Sequence, residues 1–112
     1  MECIFCKIVN EEIPSKAVYK DDFVYAFYDI APKAPVHILI VPKKHIVSID
    51  EFKEEDNALL LRMFDVARQI AKRKGINETG YRLVLNTGKD AGQTVFHAHM
   101  HILGGDTLTD LG

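Results

Sequence analysis

Near its carboxy-terminal end the chain contains an alternating run, 95–103, in which three histidines take every second position. Alternation over this length predicts a β-strand, whose side chains at i, i+2 and i+4 share one face. His97, His99 and His101 should therefore line one side of the strand, about 6–7 Å apart. The opposite side would enter a core with the intervening residues Phe96, Ala98, Met100 and Ile102. Histidine titrates near neutral pH, so a row of three indicates chemistry.

The length of 112 residues predicts one domain, 1–112, with a single core. Fourteen basic and sixteen acidic residues give a net charge of −2, which does not favour a nucleic acid polymer as partner. No apolar run reaches 18 residues, and the first residues lack the pattern of a signal peptide. We therefore expect no membrane partner and a cytoplasmic location.

The remaining patterns predict one long helix and several strands. Acidic residues precede an apolar periodicity of three and four that ends in basic residues and Gly75, as expected for a helix over 56–74. Asp21 and Asp22 supply a hairpin turn. The other elements are a short helix or turn at 3–13, strands at 17–20, 23–30, 36–41 and 81–86, and a loop at 87–94. This order favours an α+β fold with an antiparallel sheet around a central strand 36–41.

The loop that precedes the histidines has the composition of an anion-binding loop. Gly88 and Gly92 let backbone N–H groups approach a phosphate, and Gln93 and Thr94 add side-chain donors. A neutral imidazole beyond such a loop can attack phosphorus and form a phosphohistidine. Its second ring nitrogen must then donate a hydrogen bond that fixes the tautomer.

The only two cysteines, Cys3 and Cys6, have the spacing of a zinc site. A closed tetrahedral site needs two further ligands, for which His45 and one histidine of the row are available. Four protein ligands leave no position for water, so such a zinc would be structural. A redox dithiol is less favoured because no βαβ unit surrounds the pair.

Several blocks of the chain resemble the histidine triad (HIT) family. The segment from Gly92 to Ile102 is similar to its signature, His-φ-His-φ-His-φ-φ with φ apolar, preceded by Gly-Gln-Ser/Thr. Further similarity extends over CIFCKI at 3–8, EIPSK at 12–16, AFYDIAP at 26–32, PVHILIVPKKH at 35–45 and GYRLVLN at 80–86. Leu103 to Gly105 resembles the nucleotide-binding branch of the family.

The resemblance implies a single HIT domain, with a five-stranded antiparallel sheet, a long helix and a short amino-terminal helix. It also implies a homodimer with a ten-stranded sheet and a purine nucleotide substrate of the AMP or GMP type. The implied activity is purine nucleoside phosphoramidase, on AMP amides or AMP-lysine, through a nucleotidyl-histidine. A structural zinc and no organic cofactor complete this expectation.

The same resemblance assigns roles to individual residues. His99 would be the nucleophile, with His37 and His101 as the other catalytic histidines. Nucleotide binding, in which His99 and His101 share, would further involve Phe5, Ile8, Ile13, Phe27, Asp29, Ile30, Asn86, Gly92, Gln93 and Thr94. The zinc ligands would be Cys3, Cys6, His45 and His97.

Alternative functions stay open on the sequence. Thr94 stands where the nucleotide-binding branch usually has Ser, whereas dinucleoside polyphosphate hydrolases of the family often have Thr. The tryptophan-bearing tail of the animal nucleotide-binding members does not follow the triad, which leaves the leaving-group preference open. The chain could also be a non-catalytic nucleotide-binding interaction protein. A metal enzyme built on the histidine row is disfavoured, because a strand points its imidazoles in parallel.

Overall fold

The computed structural model describes residues 3–109. In chain order it contains α1 (Ile4–Val9), β1 (Ala17–Lys20), β2 (Val24–Tyr28), β3 (Val36–Pro42), α2 (Asn57–Arg73), β4 (Tyr81–Leu85) and β5 (Met100–Gly104). Short 3₁₀ turns occupy Ile49–Glu51, Glu54–Asp56 and Lys89–Ala91. Neither α-helix in the described part of the chain is long and apolar enough to cross a bilayer.

The five strands form one antiparallel sheet in the order β1-β2-β3-β5-β4. The predicted fold class is confirmed, and β3 is the central strand as its apolar sequence indicated. The register places Leu39 of β3 and Val84 of β4 on either side of His101. Because paired residues share a face, these positions fix which side of the sheet carries the histidines.

The larger core lies between the sheet and α2. Met63, Val66 and Ile70 are fully buried at helical spacing and pack against strand residues such as Ile38 and Met100. The predicted helix over 56–74 is confirmed to within a residue at each end. Lys72 and Arg73 in its last turn complement the negative end of the helix dipole.

A smaller core covers the opposite face of the sheet. It joins Phe5, Ile8 and Val9 of α1 to apolar side chains of β2 and β3, namely Tyr25, Phe27, Leu39 and Val41. The odd-numbered strand residues that face α1 share that side with His37 and His101, since side chains alternate along a strand. The histidine face of the sheet is therefore the face that α1 covers.

The predicted β-hairpin is confirmed, and Asp21 explains its turn. Its Oδ1 accepts hydrogen bonds from the backbone N–H groups of Phe23 and Val24, at 2.7 and 2.8 Å. Its other oxygen, Oδ2, accepts from Tyr19 of β1 and from Arg62 of α2. One carboxylate thus closes the hairpin and ties it to the helix.

The prediction of a strand through the whole histidine row is wrong, because β5 begins only at Met100. The backbone of 95–99 is bonded elsewhere: Ala98 N–H donates to the carbonyl of Ile46 at 2.6 Å, and the carbonyl of Val95 accepts from Gln93. These partners replace a strand ladder. Phe96, which was expected in the core, is 54% exposed.

Candidate active site and metal-binding cluster

Four of the five histidines meet on the face of the sheet covered by α1. His37 comes from the central strand and His101 from β5, while His97 and His99 lie on the irregular segment just before β5. The ring centroids of three of them follow one another at about 5 Å: 5.1 Å separates His37 from His101, and 5.1 Å separates His101 from His99. The sheet topology therefore joins His37 to residues more than 60 positions away.

A directed chain of hydrogen bonds fixes the tautomers of His37 and His101. The backbone N–H of Lys33 donates to His37 Nδ1 at 3.0 Å, so the ring hydrogen of a neutral His37 is on Nε2. His37 Nε2 donates to His101 Nδ1 at 2.9 Å, which places the hydrogen of His101 on Nε2. His101 thus presents an N–H donor beyond the pair. Asp29 Oδ2 lies 3.5 Å from His37 Nε2.

Burial keeps this pair neutral. It lowers the pKa of His101 to about 4, and the neighbouring His99 and His37 add to the effect. Burial also lowers the pKa of His37, although the carboxylate of Asp29 acts in the opposite direction. Both rings are therefore uncharged near pH 7, as the hydrogen-bond chain requires.

His99 has the tautomer that a nucleophile needs. Its Nδ1 lies 2.8 Å from the backbone carbonyl oxygen of His97, so Nδ1–H donates and Nε2 keeps a lone pair. The side chain is only 8% exposed, yet it lines a cleft. An imidazole held in this way can attack an electrophilic phosphorus through Nε2.

A cleft of about 680 Å³, which we call the triad cleft, opens over these groups. Its walls carry His37, His99 and His101 together with Gly92 and with other polar residues, which are Asp29, Lys33, Arg82, Asn86, Thr94 and Thr109. Three of the residues predicted to hold a phosphate, Asn86, Gly92 and Thr94, thus lie beside the histidines. The sequence prediction missed Lys33 and Arg82. Arg82 could have been predicted, because it lies two and four residues before Val84 and Asn86 in the predicted strand, and such residues share a face with the predicted phosphate ligand Asn86.

A second cleft of about 720 Å³, the apolar cleft, adjoins the first at Asp29 and His37. Ile8, Phe27 and Ile30, which were predicted to surround a nucleobase, line it together with Asp29. The other two predicted base contacts are elsewhere. Ile13 lies in a separate groove with Cys3 and His45, and Phe5 is buried against His99 and lines neither cleft.

Gln93 occupies a different place from the one predicted for its side chain. Its Oε1 accepts from Gly88 N–H at 2.9 Å, and its Nε2 donates to the carbonyls of Val47 and Val95. Both hydrogens of the amide are used, so the side chain holds the loop closed and has no N–H left for a phosphate. The loop bends through positive φ at Gly88 and Gly92, which glycine adopts without strain.

A cluster of two cysteines and two histidines lies on the other side of His99. The ligand atoms of Cys3, Cys6, His45 and His97 are all within 4.8 Å of one another. Cys3 Sγ is 3.3 Å from His97 Nδ1, and Cys6 Sγ is 3.2 Å from His45 Nδ1. These are the four residues named as zinc ligands from the sequence, drawn together from α1, from the segment after β3 and from the start of the histidine row.

The chemistry of this cluster suits a divalent metal ion. His97 Nε2–H donates to the carbonyl of Pro42 at 2.7 Å, which leaves Nδ1 unprotonated and directed at the sulfurs. Burial and the neighbouring Cys3 raise the pKa of the Cys6 thiol to about 11. A bound cation would reverse this shift, since metal ions stabilise thiolates.

The histidine row is divided between the two sites. His97 turns its Nδ1 toward the cysteines, whereas His101 bonds His37. Asp29, His37 and His101 also bring possible ligand atoms within 4.8 Å, but the shared hydrogen of the two imidazoles already accounts for their approach. A metal site made of the three row histidines is therefore not formed.

The chain is similar to known proteins along nearly its full length. A family model described as the HIT domain matches residues 10–108. The purine nucleoside phosphoramidase of Escherichia coli strain K12 is 51% identical over 107 residues, which cover 96% of this chain and 90% of that protein.

Solved structures show the same similarity. A histidine triad protein from Clostridium difficile superimposes with a TM-score of 0.96 at 48% identity, covering 100% of this chain and 97% of the other. A HIT family hydrolase from Legionella pneumophila Philadelphia 1 gives a TM-score of 0.95 at 45% identity, covering 96% of each chain. Sequence and architecture thus agree over nearly the whole chain.

Proposed function

The chain belongs to the HIT domain family, and on this premise we propose that it hydrolyses purine nucleoside phosphoramidates through a nucleotidyl-histidine on His99. One observation carries the proposal. His99 donates Nδ1–H to the His97 carbonyl and lines the triad cleft beside the hydrogen-bonded pair of His37 and His101. The 51% identical relative named purine nucleoside phosphoramidase supports the substrate class.

In the first step, Nε2 of His99 attacks the phosphorus and the phosphorus–nitrogen bond breaks. The leaving nitrogen takes the electron pair of that bond and a proton from water at the exposed Thr94 side of the cleft. The N–H of His101 stabilises charge on a phosphate oxygen as a neutral donor. The hydroxide left by that water, or a second water that gives its proton to this hydroxide, then attacks the phosphorus. The bond between phosphorus and Nε2 breaks, its electron pair returns to Nε2 of His99, and the nucleoside monophosphate is released.

The two adjoining clefts suit the two halves of a nucleotide. The apolar cleft would take the purine between Ile8 and Phe27, and the triad cleft the phosphate. Asp29 stands where the clefts meet, with one oxygen held by the N–H of Ala31 at 2.8 Å. This position fits the two hydroxyls of a ribose.

Release of AMP from an AMP amide tests the activity. We expect turnover by the wild-type protein and a loss of at least about 10³-fold in His99→Ala, because covalent catalysis then has no nucleophile. Turnover that is equal in the two proteins would reject His99 as the nucleophile. AMP binding that persists in both proteins, with no turnover in either, would favour the non-catalytic alternative.

A second candidate activity is hydrolysis of dinucleoside polyphosphates. Lys33 and Arg82 line the triad cleft with Thr94, and two cations could bind phosphates beyond the one attacked. Initial rates on an AMP amide and on a diadenosine polyphosphate at matched concentration separate the two. We expect the amide to be the faster substrate.

We further propose that Cys3, Cys6, His45 and His97 hold a structural zinc ion. Two thiolates and two imidazoles form a common tetrahedral donor set for zinc. The Pro42 carbonyl orients the His97 imidazole by accepting a hydrogen bond from Nε2, the ring nitrogen that does not face the sulfurs. Elemental analysis of protein purified without chelators should give about one zinc per chain. A content far below this value would overturn the proposal.

We also propose a homodimer in the cytoplasm. β4 is an edge strand, and pairing between two copies of it would extend the five strands to ten. Two cysteines free of a disulfide agree with a reducing compartment. Light scattering during size-exclusion chromatography should give twice the chain mass, and a monomer mass would contradict the pairing.

A further inference from the structure

Phe5 of α1 packs directly against the imidazole of His99. The two ring centroids are 5.1 Å apart and the planes are nearly perpendicular, at 88°. Phe5 also meets His97 edge-on at 6.1 Å and Phe27 at 5.5 Å. Perpendicular aromatic pairs at these distances are attractive beyond the area they bury.

The same residue has little access to a ligand. It lines neither the triad cleft nor the apolar cleft, although it is no more buried than Ile8, each being 7% exposed. Its neighbour Ile8, one turn further along α1, does line the apolar cleft. The resemblance to the family placed both residues around the nucleobase, whereas the structure separates them.

We propose that Phe5 is a positioning residue that holds the plane of the His99 imidazole for attack, an inference that rests on the proposed function. Apart from Phe5, the ring is held by one hydrogen bond at Nδ1 and by a contact with His101 at 5.1 Å, and neither prevents it from rotating about the Nδ1 bond. The ring of Phe5, packed perpendicular to the imidazole, limits this rotation and keeps Nε2 of His99 directed into the triad cleft.

The short helix α1 gives Phe5 a fixed base for this role. The residue lies between Cys3 and Cys6, and both sulfurs are within 3.6 Å of His97 Nδ1. Cys3 Sγ also accepts the backbone N–H of Cys6 at 3.3 Å, which caps the start of the helix. Phe5 is therefore attached to the same cluster whose His97 carbonyl holds His99.

Steady-state kinetics on an AMP amide separate positioning from base binding. In Phe5→Leu, which removes the ring, we expect kcat to fall about 2- to 12-fold with KM within twofold, the range for one aromatic pair. Phe5→Tyr keeps the ring and should restore most of kcat. A rise in KM with kcat unchanged in Phe5→Leu would return Phe5 to the base site and overturn the proposal.

Ile8→Ala is the matched control, because it removes apolar volume from the same helix without touching His99 through a ring. We expect it to raise KM and to change kcat less than Phe5→Leu does. An equal fall of kcat in both variants would show a general loosening of α1 and would reject a specific role for Phe5. Thermal unfolding of each variant verifies that it is folded.

Nitrogen-15 NMR of the imidazole gives a readout that does not depend on turnover. The wild-type protein should show His99 protonated at Nδ1, and Phe5→Leu should shift it toward a mixture of tautomers. An unchanged tautomer together with an unchanged kcat would overturn the proposal. If the wild-type protein does not hydrolyse the amide, the proposed function fails, and the NMR comparison alone decides the role of Phe5.

Discussion

At the scale of the residue, three histidines with alternate spacing have three different environments. His97 faces two sulfurs, His99 donates to a carbonyl and His101 accepts from His37. The alternation predicted that they share one side of the chain, and the resemblance to the family assigned His97 to a metal and His99 and His101 to a reaction. The sequence could not supply the backbone partners, because the N–H of Lys33, which bonds His37, and the Pro42 carbonyl, which bonds His97, belong to the main chain and carry no side-chain signal.

The lowered pKa of His101 predicts a specific acid sensitivity. In the unfolded chain its pKa is near 6.5, so between about pH 6.5 and 4 the unfolded state binds more protons than the folded state. Stability should therefore fall as the pH drops through this range, by on the order of 2–3 kcal/mol from this group. Urea unfolding at several pH values measures it.

His101→Asn is the control for that slope. It removes the titrating ring, so its stability should depend less on pH between 6.5 and 4 than that of the wild-type protein. The contribution of His37, whose pKa is also lowered, remains in both proteins. A slope that is the same in both would show that the titration of His101 is not linked to folding.

At the scale of the element, local periodicity predicted most of the fold. The apolar spacing of α2 and the hairpin turn at Asp21 depend on residues close together in the sequence, and both predictions are confirmed. The start of β5 was wrong because alternation continues through 95–99 although the backbone there bonds Ile46 and Gln93. The bond from Ala98 to Ile46 spans 52 positions, so a short sequence window cannot detect it.

Asp21 should matter to stability more than its exposed neighbour Asp22. Burial alone would raise its pKa, but hydrogen bonds from Tyr19, from the backbone and from Arg62 outweigh it and hold the pKa well below the usual range. Its contribution is therefore present above about pH 4 and is lost as the pH falls. Asp21→Asn should cost about 1–3 kcal/mol at pH 7. Urea unfolding of Asp22→Asn, the control, should show little change.

Removal of the proposed zinc should loosen α1 without unfolding the sheet. The helix has only six residues, and two of the four donors hold it to the segment before β5. Chelation should lower the midpoint of thermal unfolding and speed amide exchange in α1 more than in β3. The double variant Cys3→Ser/Cys6→Ser should resemble the chelated protein and respond no further to chelator. Equal exchange in α1 before and after chelation would contradict this role.

At the scale of the whole molecule, the larger hydrophobic core and the histidines lie on opposite faces of the sheet. One face packs against α2 through fully buried apolar side chains, and the other carries the histidines, both clefts and α1. The sequence predicted this division only for the histidine row, where alternation placed Ala98, Met100 and Ile102 opposite the histidines; the apolar sequence of β3 does not alternate and gave no such prediction. The sequence did not predict that Phe5 and Gln93 would turn away from the clefts, since both follow from tertiary packing.

Ile70→Ala tests this separation. Ile70 is fully buried between α2 and the sheet, so its truncation should cost about 2–5 kcal/mol in the free energy of unfolding. The KM for an AMP amide should stay near that of the wild-type protein, because the residue lies on the face away from the clefts. Leu61→Ala, on the exposed side of the same helix, should change stability by less than about 0.5 kcal/mol.

The late start of β5 has a consequence for how the loop 87–94 can vary. Inside a strand, one inserted residue would move every following side chain to the other face. Here the loop joins a segment fixed by its own bonds, from Ala98 to Ile46 and from His97 to Pro42, before the ladder begins. Insertions ahead of Val95 would therefore be absorbed before they reach His99 and His101. A protein built in this way can change the length of the loop 87–94, and with it the shape of the triad cleft that Gly92 and Thr94 line, while the histidines keep their register.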